Sequence, residues 1–275
     1  MVIERDMTLV IRDEAQGWNL ECTPDELDLA ALMATGVLVV RGLVSRHRAE
    51  SLADDWKALA WDADGRRALD YNPVNSVELP DSFVAFTRTS TFTDLLSPIF
   101  GEPIGLFNRR VVAKDASYNG DVFLHQDSCY QRGGLDKVSV FVALSKVSET
   151  SGGLDFWLGT HRFGYLGDAG AIDGSCLPNP WPIISPTLAP GDAVIMNSSC
   201  WHQSGPNTSG SPRIIADIHY QPGSDASSRE LIWSDRWVAQ SSIVLSDSTS
   251  VFARSRTLTI QDLDAKLKRM EERER

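Results

Sequence analysis

The chain has 275 residues, of which 42 % are hydrophobic and 23 % charged, the proportions of an ordinary globular protein with a sizeable core. A formal net charge of −11 argues against nucleic acid as a partner, because no basic stripe offsets phosphate charge, and it weakly favours a neutral or cationic substrate. No apolar run approaches the roughly 18 residues needed to span a bilayer, so no membrane partner is expected.

Four cysteines (Cys22, Cys129, Cys176 and Cys200) form no CxxC pair and no dense framework, which fits a reducing cytoplasm. The acidic N-terminus carries no basic-then-apolar leader. Without secretion, the acceptor-like matches at Asn197 and Asn207 read as chance.

In chain order, residues 1–22 read as an irregular or edge-strand lead-in. Thr23-Pro24-Asp25-Glu26 predicts a helix start, with threonine as N-cap, proline at the first helical position and Glu26 completing a capping box. Gly36 predicts the helix end, Val37–Val40 a short buried strand, and Ser45 the cap of a second helix running to about Trp61. Residues 62–82 read as a loop, and 90–100 as a shorter helix ending near Gly101.

From about residue 104 short Val/Ile/Phe-rich segments alternate with Gly, Asn, Asp and Pro turns, the rhythm of an antiparallel barrel or jelly roll. Examples are Val138–Leu144, Ala193–Asn197 and Ile214–Tyr220. Residues 161–190 read as a long Gly/Pro-rich loop, a candidate lid. Trp233 and Trp237 lie one helical turn apart and are expected against the barrel. Thr259 caps a last helix with Ile260, Leu263, Leu267 and Met270 on one face. The organisation is one mainly β domain over 1–275, with a helical part at about 23–100, a barrel core at about 104–222 and a C-terminal extension at about 223–275.

The strongest chemical signal is Phe123-Leu124-His125-Gln126-Asp127. On a strand, residues i and i+2 share a face, so His125 and Asp127 project together and Gln126 points away. With a distant second histidine they make a two-histidine, one-carboxylate facial triad, which leaves iron positions open for co-substrate and O₂. A lone HxD is as readily a surface pair. His202 supplies the second histidine, after the tight turn Ala189-Pro190-Gly191-Asp192 and the strand that follows. Arg213 lies eleven residues further on, at the start of the next strand, where a hairpin returns it to a depth near His202. A guanidinium there can clamp a carboxylate bidentately, and Ser204 shares strand parity with His202.

Three blocks in this order carry a resemblance. They are His125-Gln126-Asp127 with Tyr130 after it; Ser151-Gly152-Gly153-Leu154 through Gly159-Thr160-His161; and Gly191-Asp192 through His202 to Arg213. With the entry segment Val39-Val40-Arg41-Gly42, they make the chain resemble the phytanoyl-CoA dioxygenase family of Fe(II)/2-oxoglutarate oxygenases over roughly residues 23 to 222.

The resemblance implies a double-stranded β-helix (a jelly roll, cupin-like) with flanking helices. It implies iron held by His125, Asp127 and His202, and the distal carboxylate of 2-oxoglutarate held by Arg213 and Ser204. The implied activity is that of a dioxygenase (EC 1.14.11.-): O₂-dependent hydroxylation of an unactivated C–H bond of a small molecule, with release of succinate and CO₂. Desaturation, ring closure and epimerisation use the same iron chemistry. The retained Asp127 argues against halogenation, for which related enzymes lack the carboxylate. The sequence departs from the family's type member at Phe141, near where a tryptophan lines the co-substrate pocket, and at Leu158, which replaces a proline.

Asn108, Arg109, Arg110 and Lys114 precede the HQD strand and are candidates to reach the co-substrate or an anionic substrate group; a solvated strand face is the competing reading. Tyr130, Phe141 and Trp157 complete the candidate pocket. Phe163, Tyr165 and Trp181 can line a pocket or pack in the core. His161 reads as structural, His47 as solvated, His219 as packed or hydrogen-bonded, and Cys129 and Cys200 as small buried residues. A non-catalytic jelly-roll binding protein, or a cupin-like metal protein without 2-oxoglutarate, is the rival class. No GxSxG, Walker loop or GxGxxG supports a hydrolase or nucleotide enzyme.

Overall fold

The computed structural model describes residues 7–60, 79–101, 103–115, 119–131, 133–167, 171–228, 230–233 and 236–239. Helix α1 (Met7–Glu14) leads into β1 (Glu21–Cys22), α2 (Leu29–Thr35), β2 (Val37–Val40), α3 (Arg46–Ala60), α4 (Asp81–Phe86) and α5 (Ser90–Phe100). The strands of the barrel follow: β3 (Ile104–Lys114), β4 (Val122–His125), β5 (Val138–Ala143), β6 (Leu154–Trp157), β7 (Ile183–Ile184), β8 (Ala193–Asn197), β9 (Trp201–Ser204) and β10 (Arg213–Pro222). The hairpin β11 (Glu230–Trp233) and β12 (Arg236–Ala239) closes the described chain.

Several expectations hold at the level of single residues. Gly36 and Gly101 terminate their helices in the left-handed conformation, and the Ser45 hydroxyl accepts from Arg48 N at 3.2 Å at the start of α3. Others need correction. Helix α1 replaces the expected irregular lead-in, because Ile11 buries its side chain against the turn at Gly159. The next helix begins at Leu29 rather than at Pro24. Asp28 is the cap, its carboxylate accepting from Ala31 N at 3.0 Å, while Thr23 only closes a turn with Glu26. Aspartate is among the strongest N-caps, so the later residue wins.

Trp233 and Trp237 sit on the two strands of a hairpin and not on a helix. Trp237 packs beside the helices and donates to Arg88 O at 2.9 Å. The expected loop at 62–82 lies almost entirely outside the described residues, and so does the final helix after Thr259.

The strands form two sheets, ordered β1-β2-β8-β5-β10-β3-β11-β12 and β4-β9-β6-β7. This is the jelly roll expected from the sequence. Alternation along β10 decides which residues serve structure and which serve chemistry. Ile214, Ala216, Ile218 and Tyr220 pack outward with Leu38, Leu52, Phe83, Phe92 and Leu96 of the N-terminal part. Fully burying each such side chain is worth about 1.5–3 kcal/mol. Phe92 stacks on Tyr220 with ring centroids 5.5 Å apart, and the tyrosine hydroxyl donates to Thr87 O.

The other set, Arg213, Ile215, Asp217, His219 and Gln221, faces the space between the sheets. Cross-strand register arranges this inner face in rungs. Lys114 pairs Arg213; Val112, Ile215 and Ala143 form the next rung; then come Arg110, Asp217 and Phe141; then Asn108, His219 and Ser139. Across the gap, the smaller sheet presents Leu154, Phe156, His202 and Ser204.

Its outer face carries Leu124, Trp157 and Trp201, covered by Phe163, Ile172, Leu177 and Trp181. Phe163, Ile172, Leu177 and Trp181 of the candidate lid 161–190 therefore cover the face opposite His202, while Gly164, Leu166 and Gly167 lie against Gln126 and Cys129 of the HQD turn. Trp181 is 9 % exposed and donates to Leu158 O at 3.0 Å, and Phe163 packs on Trp201 at 5.6 Å.

Candidate metal centre

His125 ends β4, opposite His202 of β9. A register shift between Val122 and His125 sets this pairing. Asp127 follows two residues later and opens the tight turn Asp127–Tyr130. Its Oδ1 lies 3.7 Å from Nε2 of His125 and 3.7 Å from Nε2 of His202. One donor atom from each of the three residues fits within a 4.8 Å cluster, and all three are buried. Two metal–ligand bonds of about 2.1 Å bridge up to about 4.2 Å, so the two 3.7 Å separations between Asp127 and the imidazoles fit one ion.

Both imidazoles are turned the same way. His125 Nδ1 lies 2.7 Å from Phe123 O and His202 Nδ1 lies 3.1 Å from Cys200 O. A carbonyl at Nδ1 fixes the proton there and leaves the Nε2 lone pair for a metal. Phe156 and Phe141 pack on the His202 ring at 6.2 and 6.0 Å. Burial, reinforced by His125, pushes the His202 pKa down to about 4, which keeps it in the neutral, metal-binding form at pH 7. Burial opposes the charge of Asp127, yet the surrounding His202, His125 and His219 outweigh it and hold the carboxyl well below the usual range. Two imidazoles and one carboxylate are the donor set of a facial triad, and they suit Fe(II).

The far oxygen of Asp127 is occupied. Ser139 donates to Oδ2 at 2.7 Å, leaving Oδ1 toward the histidines. Sequence reasoning missed Ser139, and it left His219 as packed or hydrogen-bonded without placing it near Asp127. Both are buried polar residues at inward positions of strands whose other residues are largely apolar. That phase, shared with Arg213, was the available signal.

Gln126 points away from the metal-ligand candidates, as its parity predicts. It is fully buried. Its Nε2 donates to Gly164 O at 2.8 Å and Ser199 O at 2.7 Å, and its Oε1 accepts from Leu166 N at 3.1 Å. The middle residue of the HQD segment thus clips the turn before His202 to the start of the apolar cover.

Three rungs along β10 from Ser139 and His219, Arg213 and Lys114 lie side by side, each 1 % exposed. Arg213 Nη2 donates to Gly152 O at 2.9 Å. Lys114 Nζ donates to Ser204 Oγ at 2.7 Å, Ser204 O at 3.2 Å and Gly205 O at 2.5 Å. Gly152 permits this packing: a Cβ there would stand 2.6 Å from Gly205 O and 3.0 Å from Lys114 Cδ. Burial, with the Arg213 charge second, lowers the Lys114 pKa to about 8. Two buried cations beside a serine hydroxyl form a receptor for an anion of carboxylate size.

The remaining candidates divide. Arg110 and Phe141 share the Asp217 rung on the inner face, and Asn108 lies opposite His219. Arg109 points to the helices, where it pairs with Glu230 and donates to Thr87 Oγ1. Trp157 is a correction: it pairs Trp201 on the outer face, because one residue of strand parity separates it from Phe156. The side chain of Tyr130 lies outside the described residues.

His161 has Nε2 3.1 Å from Met33 O and its ring against Gly36, a structural position, and His47 is exposed. The Gly191-Asp192 pair is structural too. A Cβ on Gly191, at φ +99°, would meet Val44 O at 2.3 Å, and Asp192 accepts from Arg41 Nη1 and Gly42 N, locking the entry strand to the turn.

A jelly roll with this inward donor set defines the class of the Fe(II)/2-oxoglutarate-dependent dioxygenases. The model of the phytanoyl-CoA dioxygenase family matches residues 33–215, and the chain belongs to that family. Solved structures with the same fold include the epimerase SnoN from nogalamycin biosynthesis in complex with Fe³⁺, alpha-ketoglutarate and nogalamycin RO. It is 21 % identical, with a TM-score of 0.58, covering 70 % of this chain and 81 % of that one. EctD from S. alaskensis with 2-oxoglutarate and 5-hydroxyectoine is 19 % identical, with a TM-score of 0.60, covering 76 % and 80 %. The carbocyclase SnoK from nogalamycin biosynthesis is 14 % identical, with a TM-score of 0.56, covering 78 % and 88 %. The enzyme is a 2-oxoglutarate-dependent dioxygenase that uses iron, and no helix among its described residues is long and apolar enough to cross a membrane.

Proposed function

We propose that this enzyme hydroxylates an unactivated C–H bond of a small-molecule metabolite or natural product, with His125, Asp127 and His202 as the iron ligands. The observation that carries the reading is the distribution of charge along one inner face. An imidazole and carboxylate donor set stands at one place, and the two cations Arg213 and Lys114 stand side by side with Lys114 on Ser204, two residues along β9 from His202. A dicarboxylate spans that interval with one end at each. Iron with 2-oxoglutarate and O₂ supplies the oxidising chemistry and releases succinate and CO₂.

The chain's own residues do the rest. Arg213 and Ser204 bind the distal carboxylate, and Lys114 adds a second positive charge that draws it to that end. The carbonyls at Phe123 and Cys200 hold the imidazoles in register, and Ser139 keeps one oxygen of Asp127 toward the ion. Phe141 and Phe156 wall the His202 ring and exclude water from its side of the site. Arg110 and Asn108, partly exposed on the inner face of β3, are the candidate substrate contacts.

Hydroxylation is preferred over halogenation because Asp127 occupies the ligand position. SnoN is described as an epimerase and SnoK as a carbocyclase, so epimerisation and ring closure are the rival outcomes for this site. An anaerobic Fe(II) and 2-oxoglutarate titration, followed by a screen of amine-bearing metabolites and natural products for succinate release and product mass, tests the reading. A mass gain of one oxygen supports hydroxylation; an unchanged product mass with succinate release supports epimerisation, and loss of two hydrogens supports desaturation or ring closure.

A further inference from the structure

Besides Arg213, the inner face of β10 carries two ionisable residues that are not among the metal-ligand candidates. Asp217 is fully buried, 0 % exposed, and His219 is 3 % exposed. A carboxylate at that depth is costly unless paired. Asp217 Oδ2 accepts from Nε of Arg110, its neighbour on the same rung, and Asp217 Oδ1 lies 3.0 Å from His219 Nε2. The other ring nitrogen of His219 faces the metal-ligand candidates. Nδ1 lies 2.6 Å from Gln131 Nε2, 3.2 Å from Ser139 Oγ and 4.0 Å from Asp127 Oδ2. Ser139 in turn donates to Asp127 Oδ2 and lies 3.3 Å from Ser198 Oγ. A continuous chain of contacts therefore runs from Arg110, partly open at the inner face, through Asp217, His219 and Ser139 to Oδ2 of Asp127, while Oδ1 is the oxygen nearer His125 and His202.

From this geometry we infer that His219, oriented by Asp217 and Arg110, is a positioning residue that sets the Asp127 carboxylate for one-oxygen coordination through Ser139. The inference rests on the iron-site reading above. The alternative use of these residues, packing of β10 against β5, needs only volume. Isoleucine, valine and alanine fill the equivalent inward position at Ile215 and its rung partners. Placing Asp and His at two successive inward positions, with the histidine's Nδ1 held by Gln131 and Ser139 4.0 Å from the carboxylate of Asp127, is what orientation of a metal ligand requires. Outer-sphere partners of this kind change metal affinity by roughly ten- to a hundredfold when removed.

The test measures Fe(II) or Co(II) affinity under anaerobic conditions, together with the visible charge-transfer band of the Fe(II)–2-oxoglutarate complex, in wild type, His219→Leu, His219→Asn, Ser139→Ala and the double variant His219→Leu/Ser139→Ala. The expected result is a roughly ten- to hundredfold loss of metal affinity in His219→Leu, with a shifted band. Asparagine, which restores a polar atom near Nδ1, should recover most of the affinity. Because His219 acts through Ser139, the double variant should lose less than the sum of the two single losses.

The proposal is overturned if His219→Leu binds metal and gives the band of the wild type, if asparagine recovers nothing, or if the two losses simply add. Ser139→Ala removes one oxygen from the core and keeps the test decisive should His219→Leu fail to fold: unchanged metal affinity and band in that variant overturn the relay by themselves. A wild-type protein that gives no band fails the iron-site reading instead, a separate outcome.

Discussion

His125 and His202 lie directly opposite one another on neighbouring antiparallel strands, with ring centroids 4.2 Å apart. Cross-strand partners are the closest side-chain pairs a sheet offers. The site is therefore built by strand register rather than by loop geometry, and Asp127 completes it where the strand turns.

Removing the carboxylate should abolish turnover without unfolding the chain. Asp127→Ala removes the carboxylate and leaves the backbone pairing of β4 with β9 in place. We expect loss of substrate-dependent succinate release with an unchanged circular dichroism spectrum. Wild-type turnover in the variant would remove Asp127 from the site.

Arg213→Lys separates the two ends of the site. Lysine keeps the charge and loses the planar fork. One lost charge-assisted hydrogen bond is worth about 1.5–3 kcal/mol, or roughly ten- to a hundredfold in 2-oxoglutarate affinity. Iron affinity should change little. Calorimetric titration of each ligand reads both, and equal weakening of the two would assign Arg213 a structural role.

The lowered pKa of Lys114, about 8, gives a pH dependence with a definite sign. The ammonium attracts the carboxylate, and a larger share of Lys114 is neutral as pH rises through about 8. Affinity for 2-oxoglutarate should fall between pH 7 and pH 9, and Lys114→Met should both weaken binding and flatten that fall. A profile equally steep in the variant would place the titrating group elsewhere.

Gln126→Leu should destabilise the protein, because Gly164 O, Ser199 O and Leu166 N lose their partner together. Each buried group left unpaired costs about 1–3 kcal/mol. Denaturant unfolding would show the loss as a lower midpoint, and an unchanged midpoint would mean that water or relaxation replaces the amide.

Much of the site was legible because it obeys period-two alternation. His202 and Ser204, and the phase of Arg213, follow from parity within short strands; Asp127 was expected beside His125 on one strand, but it stands past the end of β4, in the turn Asp127–Tyr130. Trp157 was misread because a single residue of phase, set by the pairing of Phe156 with His202, sends it to the outer face. Ser139 and His219 escaped because their importance comes from rungs across β5 and β10, and a cross-strand pairing is not written in either strand alone. The first helix and the start of the second were missed for local reasons. Burial of Ile11 against Gly159 is a tertiary contact, and Asp28 outcompeted Thr23 as a cap. The long segment after His161 was read as a loop, but it carries the short strand β7, and Phe163 and Trp181 serve the outer face.

The most direct test of the account is an anaerobic titration of the purified protein with Fe(II) and 2-oxoglutarate, followed by visible absorption. A weak charge-transfer band should grow only when both are present, because it requires metal at His125, Asp127 and His202 and a dicarboxylate reaching Arg213 and Lys114 at once. A protein that binds the metal yet shows no spectral or calorimetric response to 2-oxoglutarate at any concentration would contradict the oxygenase reading and make this a cupin-like metal protein.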